Sequence, residues 1–409
     1  MRRLDTFTKN NIIMFCASSL GSFFNLLYQV MMLRLLPREA FASLNSIISL
    51  FIIVGVPSVA FATIVTKHVS SHNAQKKHEC VKTVWQKMAF HAFLFSSILF
   101  GILFLMRERI AGFLHLGSSV SIVILGAIFF LSGLTSVAMG GLQGLEKFAW
   151  VALYTVFAGI CKLLFSVVLV KSVSDGLIAA LLGFLLPLFV GLVVCLWPIR
   201  FLMRGLGRET ISLKSLYAYI FPVLAVNLSF ALLTNIDMIL VKHFFVYESQ
   251  DYAIAQMIGK IILSIAGVIY VVMFARISHL HAVNESSKAV LSKSLGYTFL
   301  VSGAAALLYN LFPQAVFGLI AGKVNLQVIS IGRVFSLSML FFAMSNVLFY
   351  YQLSIERYGF ILPLAIVVLL ETLAISIFHA TPFFVVTITL VSAASLFFLN
   401  LRLAFQQAR

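Results

Sequence analysis

Charge is scarce in this chain, and negative charge scarcest: Asp and Glu together number 13 in 409 residues, and only 10% of the chain is charged. Soluble domains carry about a quarter charged residues, so a protein of this length could not cover a water-facing surface with so few. Cysteine is nearly absent too. Cys16, Cys80, Cys161 and Cys195 form no CxxC pair, and three of the four lie inside apolar runs. They read as small packing residues, with no disulfide or thiolate metal site expected. Enzyme signatures are missing: there is no HExxH, GxSxG or P-loop, and no DxD of the kind that holds a metal for sugar-nucleotide chemistry. The chain is therefore not expected to be an enzyme or to need a cofactor or metal. His68, His72, His78 and Cys80 lie close in sequence, but within a Lys-rich loop, where solvated side chains are the simpler reading.

What the chain has in abundance is apolar length, with 61% hydrophobic residues. A membrane-crossing helix needs about 20 mostly apolar residues. Twelve such runs occur, at roughly 11–33, 41–66, 86–106, 120–141, 149–170, 176–198, 216–241, 252–275, 290–311, 329–351, 358–379 and 382–401. The first follows MRRLDTFTKNN and is too long for a signal-peptide core, with no small-residue cleavage site after it. The expected fold is an all-α polytopic membrane protein of about 12 transmembrane helices.

The formal net charge is +16. In a soluble protein this would suggest nucleic acid; here no nucleic-acid partner is expected, because the basic residues sit in short loops between apolar runs. They read as topogenic charge and as contacts to membrane lipid head groups. With the N-terminus in the cytoplasm, 19 Lys and Arg fall on the cytoplasmic side, 7 on the other and 3 within spans. That bias predicts both termini inside, and it puts Trp85, Trp150 and Trp197 at the cytoplasmic interface.

The chain also repeats. With Arg34 set on Lys242, Gln29 meets Asp237, and Phe41 and Tyr252 open the next span in each half. LEKF (145–148) and IERY (355–358) join equivalent spans, and Lys162 and Glu371 then fall at like depth on the fifth and eleventh. Both halves start on the cytoplasmic side, so the repeat is parallel, about an axis along the membrane normal. The expected organisation is a six-helix lobe over 1–199, a basic cytoplasmic linker over 200–215, and a second six-helix lobe over 216–409.

Charges inside the spans are the informative residues, since an ionised group there costs several kcal/mol unless it is paired or wetted. The candidates are Lys162, Lys260, Arg333, Asp237 and Glu371, with Asn25, Gln29, Asn227, Asn235 and Asn346 as further polar groups. Lys162 and Glu371 lie near the middle of their helices. They either face a central cavity, where Lys162 attracts an anion and Glu371 takes a proton or holds Lys162, or they are satisfied structurally. Asp237 and Lys260 lie close enough in depth for an ion pair within their lobe. Arg333 is four residues into its span and can snorkel to the outer interface. Asn25 and Gln29 share one face of the first helix, as a cavity wall or as glue between helices. Pro57 and Pro187 can kink their spans.

Three stretches carry a resemblance: 36–70 (LPREAFASLNSIISLFIIVGVPSVAFATIVTKHVS), 141–164 (GLQGLEKFAWVALYTVFAGICKLL) and 235–278, which opens NIDMILVKHF. They resemble the multidrug/oligosaccharidyl-lipid/polysaccharide exporter superfamily, and within it the polysaccharide transporter branch of O-antigen, capsule and exopolysaccharide flippases. Ala275 stands where that family often has proline before the arginine, here Arg276. The resemblance implies two lobes forming a V-shaped cavity, alternating access, a lipid-linked anionic glycan as substrate, and coupling to a proton or sodium ion in a bacterial cytoplasmic membrane. A drug or metabolite cation antiporter of the same superfamily is the alternative, although Lys162 and Lys260 suit an organic cation poorly. Peptidoglycan-precursor flippases have fourteen spans, more than fit here. A glycan polymerase or ligase would need a large external loop, and none is much longer than about twenty residues.

Overall fold

The computed structural model describes residues 6–205, 207, 220–282, 286–320, 322 and 325–407. The topogenic residues Arg2, Arg3, Arg208, Lys214, Lys323 and Arg409, and most of the expected linker, lie outside these. Among the described residues all regular structure is helical. The chain divides into two compact units, Met1–Leu224 and Ala225–Arg409.

The first unit contains α1 (Thr6–Leu35), α2 (Arg38–Val54), α3 (Val56–Ala74), α4 (His78–Leu105), α5 (Arg107–Phe113), α6 (Val120–Gly144), α7 (Phe148–Ser172) and α8 (Gly176–Leu196), followed by a 3-10 turn over Trp197–Met203. α6 is its central post and packs against α3, α4 and α8, while α7 lies between α1 and α8. Small residues allow this. A Cβ on Gly140 of α6 would sit 2.6 Å from Ala62 O of α3. Without a hydrophobic force between helices in lipid, such close backbone approach is what dispersion and packing require.

α9 (Ile220–Leu233) runs across the boundary between the units, and the second unit continues with α10 (Ile236–Phe244), α11 (Ser249–Ile265), α12 (Gly267–Ala282), α13 (Lys288–Leu311), α14 (Pro313–Ile320), α15 (Leu326–Ser354), α16 (Ile361–Ile377) and α17 (Pro382–Gln407). Its central post is α15, packed against α11, α12, α13 and α17, with α16 beside α10 and α17. Each unit thus turns on the fourth span of its half. The turns match as well. Glu146 and Glu356 both take a left-handed conformation (φ 56°). In both, the following N–H reaches back five residues, Lys147 to Leu142 O and Arg357 to Gln352 O, each at 2.9 Å. This closes the preceding helix by the same motif without the usual glycine.

Among the described residues nine helices are long and apolar enough to cross a membrane, and the pair α2–α3, bent by 41° at Gly55, makes a tenth. Pro57 stands at the start of α3, where it lacks the N–H that would continue α2. The other two of the twelve expected runs fall short. α16 has 17 residues, a length of about 25 Å against a hydrocarbon core of about 30 Å. The run expected at 252–275 is α11 and α12, interrupted at Ala266 and diluted by Gln256 and Lys260. Trp197 is 61% exposed, and Trp85 is buried in the core of its unit, against Gly141.

Candidate functional site

Each unit carries a cluster of polar and charged groups within its apolar helices. In the first, α1, α7 and α8 converge on Lys162. A Cβ at Gly159 of α7 would sit 3.0 Å from Phe24 Cβ, so the glycine lets α1 come close enough for Asn25 to reach α7. The Lys162 Nζ donates to Asn25 Oδ1 at 3.2 Å. It lies 4.1 Å from the ring centre of Tyr28 and 4.3 Å from that of Phe184. The Asn25 Nδ2 donates to Gly21 O at 3.1 Å, which turns the carboxamide oxygen toward the amine. Two aromatic faces and one amide oxygen hold the ammonium. No carboxylate forms an ion pair with it among the described residues. Lys162 is half-buried and Asn25 exposed. Gln29, one turn on, is half-buried, and its buried amide oxygen has no hydrogen-bond partner.

In the second unit the cluster is a zipper between two consecutive helices. Tyr252, Gln256 and Lys260 stand at four-residue intervals on one face of α11. Tyr252 donates its hydroxyl to Asp237 Oδ2 at 2.8 Å, and Gln256 Nε2 donates to Asp237 Oδ1 at 3.0 Å. Lys260 continues the row but does not ion-pair with Asp237, as its depth suggested. Its Nζ donates to Asn235 Oδ1 at 2.8 Å instead. Asn235 stands at the break between α9 and α10, with its Nδ2 on Ala231 O at 2.9 Å and Thr234 Oγ1 at 3.0 Å. Here too the amide is anchored four residues back, so its oxygen faces a lysine. Asp237 lies in the first turn of α10 and is fully buried, where the helix N-terminus favours negative charge.

Glu371 lies on α16, which packs beside α10, the helix that carries Asp237. It is 1% exposed, and the hydroxyl-bearing side chains Thr389 and Ser392 of α17 are its neighbours. Lys162 therefore finds its partners within the first unit and Glu371 within the second. Arg333 is exposed on α15 and enters neither cluster. Tyr28, Phe184, Tyr252, Gln256 and Thr389 were not among the sequence candidates. The four-residue spacing of Tyr252, Gln256 and Lys260 was the signal available; two aromatic rings in a chain with 40 phenylalanines offered none.

With these spans, two compact units and their polar clusters in place, the architecture can be compared with known ones. The fold is the one shared by MOP-superfamily transporters. A multidrug resistance MATE family transporter of the MOP superfamily, in an inward-facing conformation, matches with a TM-score of 0.73 at 14% identity, over 97% of this chain and 98% of that one. The lipid II flippase MurJ, in an inward closed conformation, matches with a TM-score of 0.71 at 16% identity, over 96% of this chain and 86% of MurJ. A MOP-superfamily transporter from Pyrococcus furiosus, described as having a binding pocket of reversed polarity, matches with a TM-score of 0.56 at 15% identity, over 96% and 94%. No family model matches the sequence, and no curated protein matches it. At these identities the likeness is one of fold, so the chemistry of the two clusters must carry the functional reading.

Proposed function

We propose that this chain is a flippase of the MOP superfamily. It moves a lipid-linked anionic glycan precursor across the bacterial cytoplasmic membrane by alternating access, coupled to a proton or sodium ion. The observation that carries the reading is Lys162. It lies 14 residues beyond the start of α7, about 20 Å along the helix, where a bare ammonium is costly. Its surroundings answer that cost with rings and an amide and not with a carboxylate. The positive charge is thus held in place but not cancelled, which suits an anionic ligand arriving from outside the protein. A diphosphate carrier lipid supplies such a group, and its oxygens accept charge-assisted hydrogen bonds.

The second cluster suits the coupling ion. Two buried carboxyls, Asp237 beside a helix break and Glu371, lie on the neighbouring helices α10 and α16. Like charges in an apolar setting favour a cation between them, and discontinuous helices are where membrane transporters build ion sites. An organic-cation antiporter would also use acids, but these two are 0% and 1% exposed, too enclosed for a bulky cation.

Purified protein in proteoliposomes decides between the two. The flippase reading expects protein-dependent translocation of a fluorescent undecaprenyl-diphosphate oligosaccharide and no efflux of ethidium. Ethidium efflux without lipid translocation would overturn it.

A further inference from the structure

Helix α1 presents three different faces. Ala17, Gly21, Phe24 and Tyr28 recur at intervals of three and four residues and form its packed face. Ala17 and Tyr28 are buried, and Gly21 and Phe24 lie against Thr155 and Gly159 of α7. Roughly a quarter-turn around the helix, Ser18, Ser22, Asn25 and Gln29 follow the same intervals. Ser18, Ser22 and Asn25 are exposed and Gln29 is half-buried. Further round, Leu20 and Phe23 are also exposed, at 47% and 52%, with Ser19 between the two open faces. Over Ile13–Leu35 this helix is long and apolar enough to cross a membrane, so an open face of Leu20 and Phe23 suits lipid. An open row of four polar side chains does not, because hydrocarbon satisfies none of their donors or acceptors. Such a row calls for water or a polar ligand.

Lys162 points to the ligand. It reaches from α7 onto this row, where its ammonium rests on Asn25 Oδ1 at 3.2 Å, and no carboxylate pairs with it among the described residues. One turn further on, the Gln29 amide oxygen has no hydrogen-bond partner. We infer that Ser18, Ser22, Asn25 and Gln29 form the track along which the diphosphate head group of the substrate moves past Lys162. The inference rests on the flippase reading and extends it from one cation to a path about 17 Å long, from Ser18 to Gln29. Hydroxyl and amide groups donate hydrogen bonds to phosphate oxygens without adding charge. A single ammonium flanked by neutral donors attracts the anion yet leaves each position weak enough to vacate, as transport requires. With the N-terminus inside, as the charge bias predicts, Ser18 and Ser22 meet the head group before Lys162, and Gln29 meets it after.

Single cysteines test the track. They are placed at Ser18, Ser22 and Gln29, and at Leu20 and Phe23 for comparison, in a cysteine-free full-length variant that still translocates lipid in proteoliposomes. A small charged methanethiosulfonate is excluded from hydrocarbon, so it should modify the three polar positions at least about tenfold faster than Leu20 and Phe23. Undecaprenyl-diphosphate oligosaccharide should slow that modification, and undecaprenol should not. Ser18→Ala combined with Ser22→Ala should lower the maximal translocation rate by roughly 3- to 10-fold. The half-saturating lipid concentration should stay near the parent's, since Lys162 remains. Ser18→Thr combined with Ser22→Thr restores the hydroxyls and should restore the rate. Size-exclusion profiles monitor folding. Equal modification on both open faces of folded protein would overturn the inference, as would fast modification that neither diphosphate lipid nor ethidium slows, or an alanine pair at the parent's rate. Protection by ethidium and not by the diphosphate lipid would leave the row a cavity wall and defeat the flippase reading beneath it.

Discussion

Replacing Lys162 with methionine keeps the stem and removes the charge. Each lost ring contact is worth about 0.5–2 kcal/mol, and the lost bond to Asn25 Oδ1, at 3.2 Å, about 1.5–3 kcal/mol as a charged hydrogen bond. Against these stands the cost of holding an ammonium out of water, itself several kcal/mol. The two sides nearly cancel, so the stability of Lys162→Met should lie within about 2 kcal/mol of the parent by thermal unfolding in detergent. Substrate binding has no such cancellation. A phosphate oxygen on the amine gains about 1.5–3 kcal/mol, which is roughly a 10- to 150-fold change in affinity. Lipid translocation in proteoliposomes at limiting substrate should therefore fall by that factor while the protein stays folded. Lys162→Arg should keep part of the activity, since a diphosphate accepts either cation but the broader guanidinium must fit between Tyr28 and Phe184. Lys162→Glu should fall below Lys162→Met because it repels the substrate. Full activity in Lys162→Glu would refute the reasoning and leave the lysine a structural residue.

Three further outcomes follow from particular contacts. Tyr252→Phe removes the hydroxyl that donates to Asp237 at 2.8 Å and should lower stability by about 1–2 kcal/mol, read as a lower melting temperature. Glu146→Gly and Glu356→Gly relieve a left-handed backbone at φ 56° and should each raise stability by roughly 0.5–1 kcal/mol. For topology, cysteines at Gln75 and Tyr247 in a cysteine-free background should behave oppositely toward an impermeant maleimide in intact cells. With both termini inside, as the charge bias predicts, the Tyr247 position, 83% exposed, should label and Gln75 should not; the reverse pattern would invert that orientation.

Hydropathy made the helical, membrane-spanning character easy to read, because an apolar run of 20 residues has few other uses. It was blind to interruptions, and so read twelve full spans where nine or ten described helices are long and apolar enough. The breaks at Gly55, Thr234–Asn235 and Ala266 sit inside runs that are apolar on average, and in lipid a broken helix survives when nearby groups take its freed backbone atoms. Thr234 does this by donating to Phe230 O at 2.7 Å. The site was legible as charges at depth but not as partnerships. Lys260 and Asp237 lie at a similar depth, which suggests an ion pair, yet Tyr252 and Gln256 occupy the acid first and the lysine goes to Asn235. Trp85 shows the same limit, since the slot that Gly141 opens for its indole inside the unit is a partnership that no local pattern marks.

The order in which the second cluster is synthesised has its own consequence. α10 and α11 are consecutive, so Asp237, Tyr252, Gln256, Asn235 and Lys260 can close their zipper as soon as the second of these helices leaves the ribosome. α15, against which α11 packs, is made later. Early closure shields the polar side chains while the rest of the unit is still missing. Glu371 emerges 111 residues after Lys260, roughly 5–20 s later at ordinary rates of translation, and it meets an arrangement already made. Biogenesis therefore separates the two acids. One is hydrogen-bonded by its own hairpin before the rest of its unit exists, and the other meets its hydroxyl neighbours only when α17 follows it.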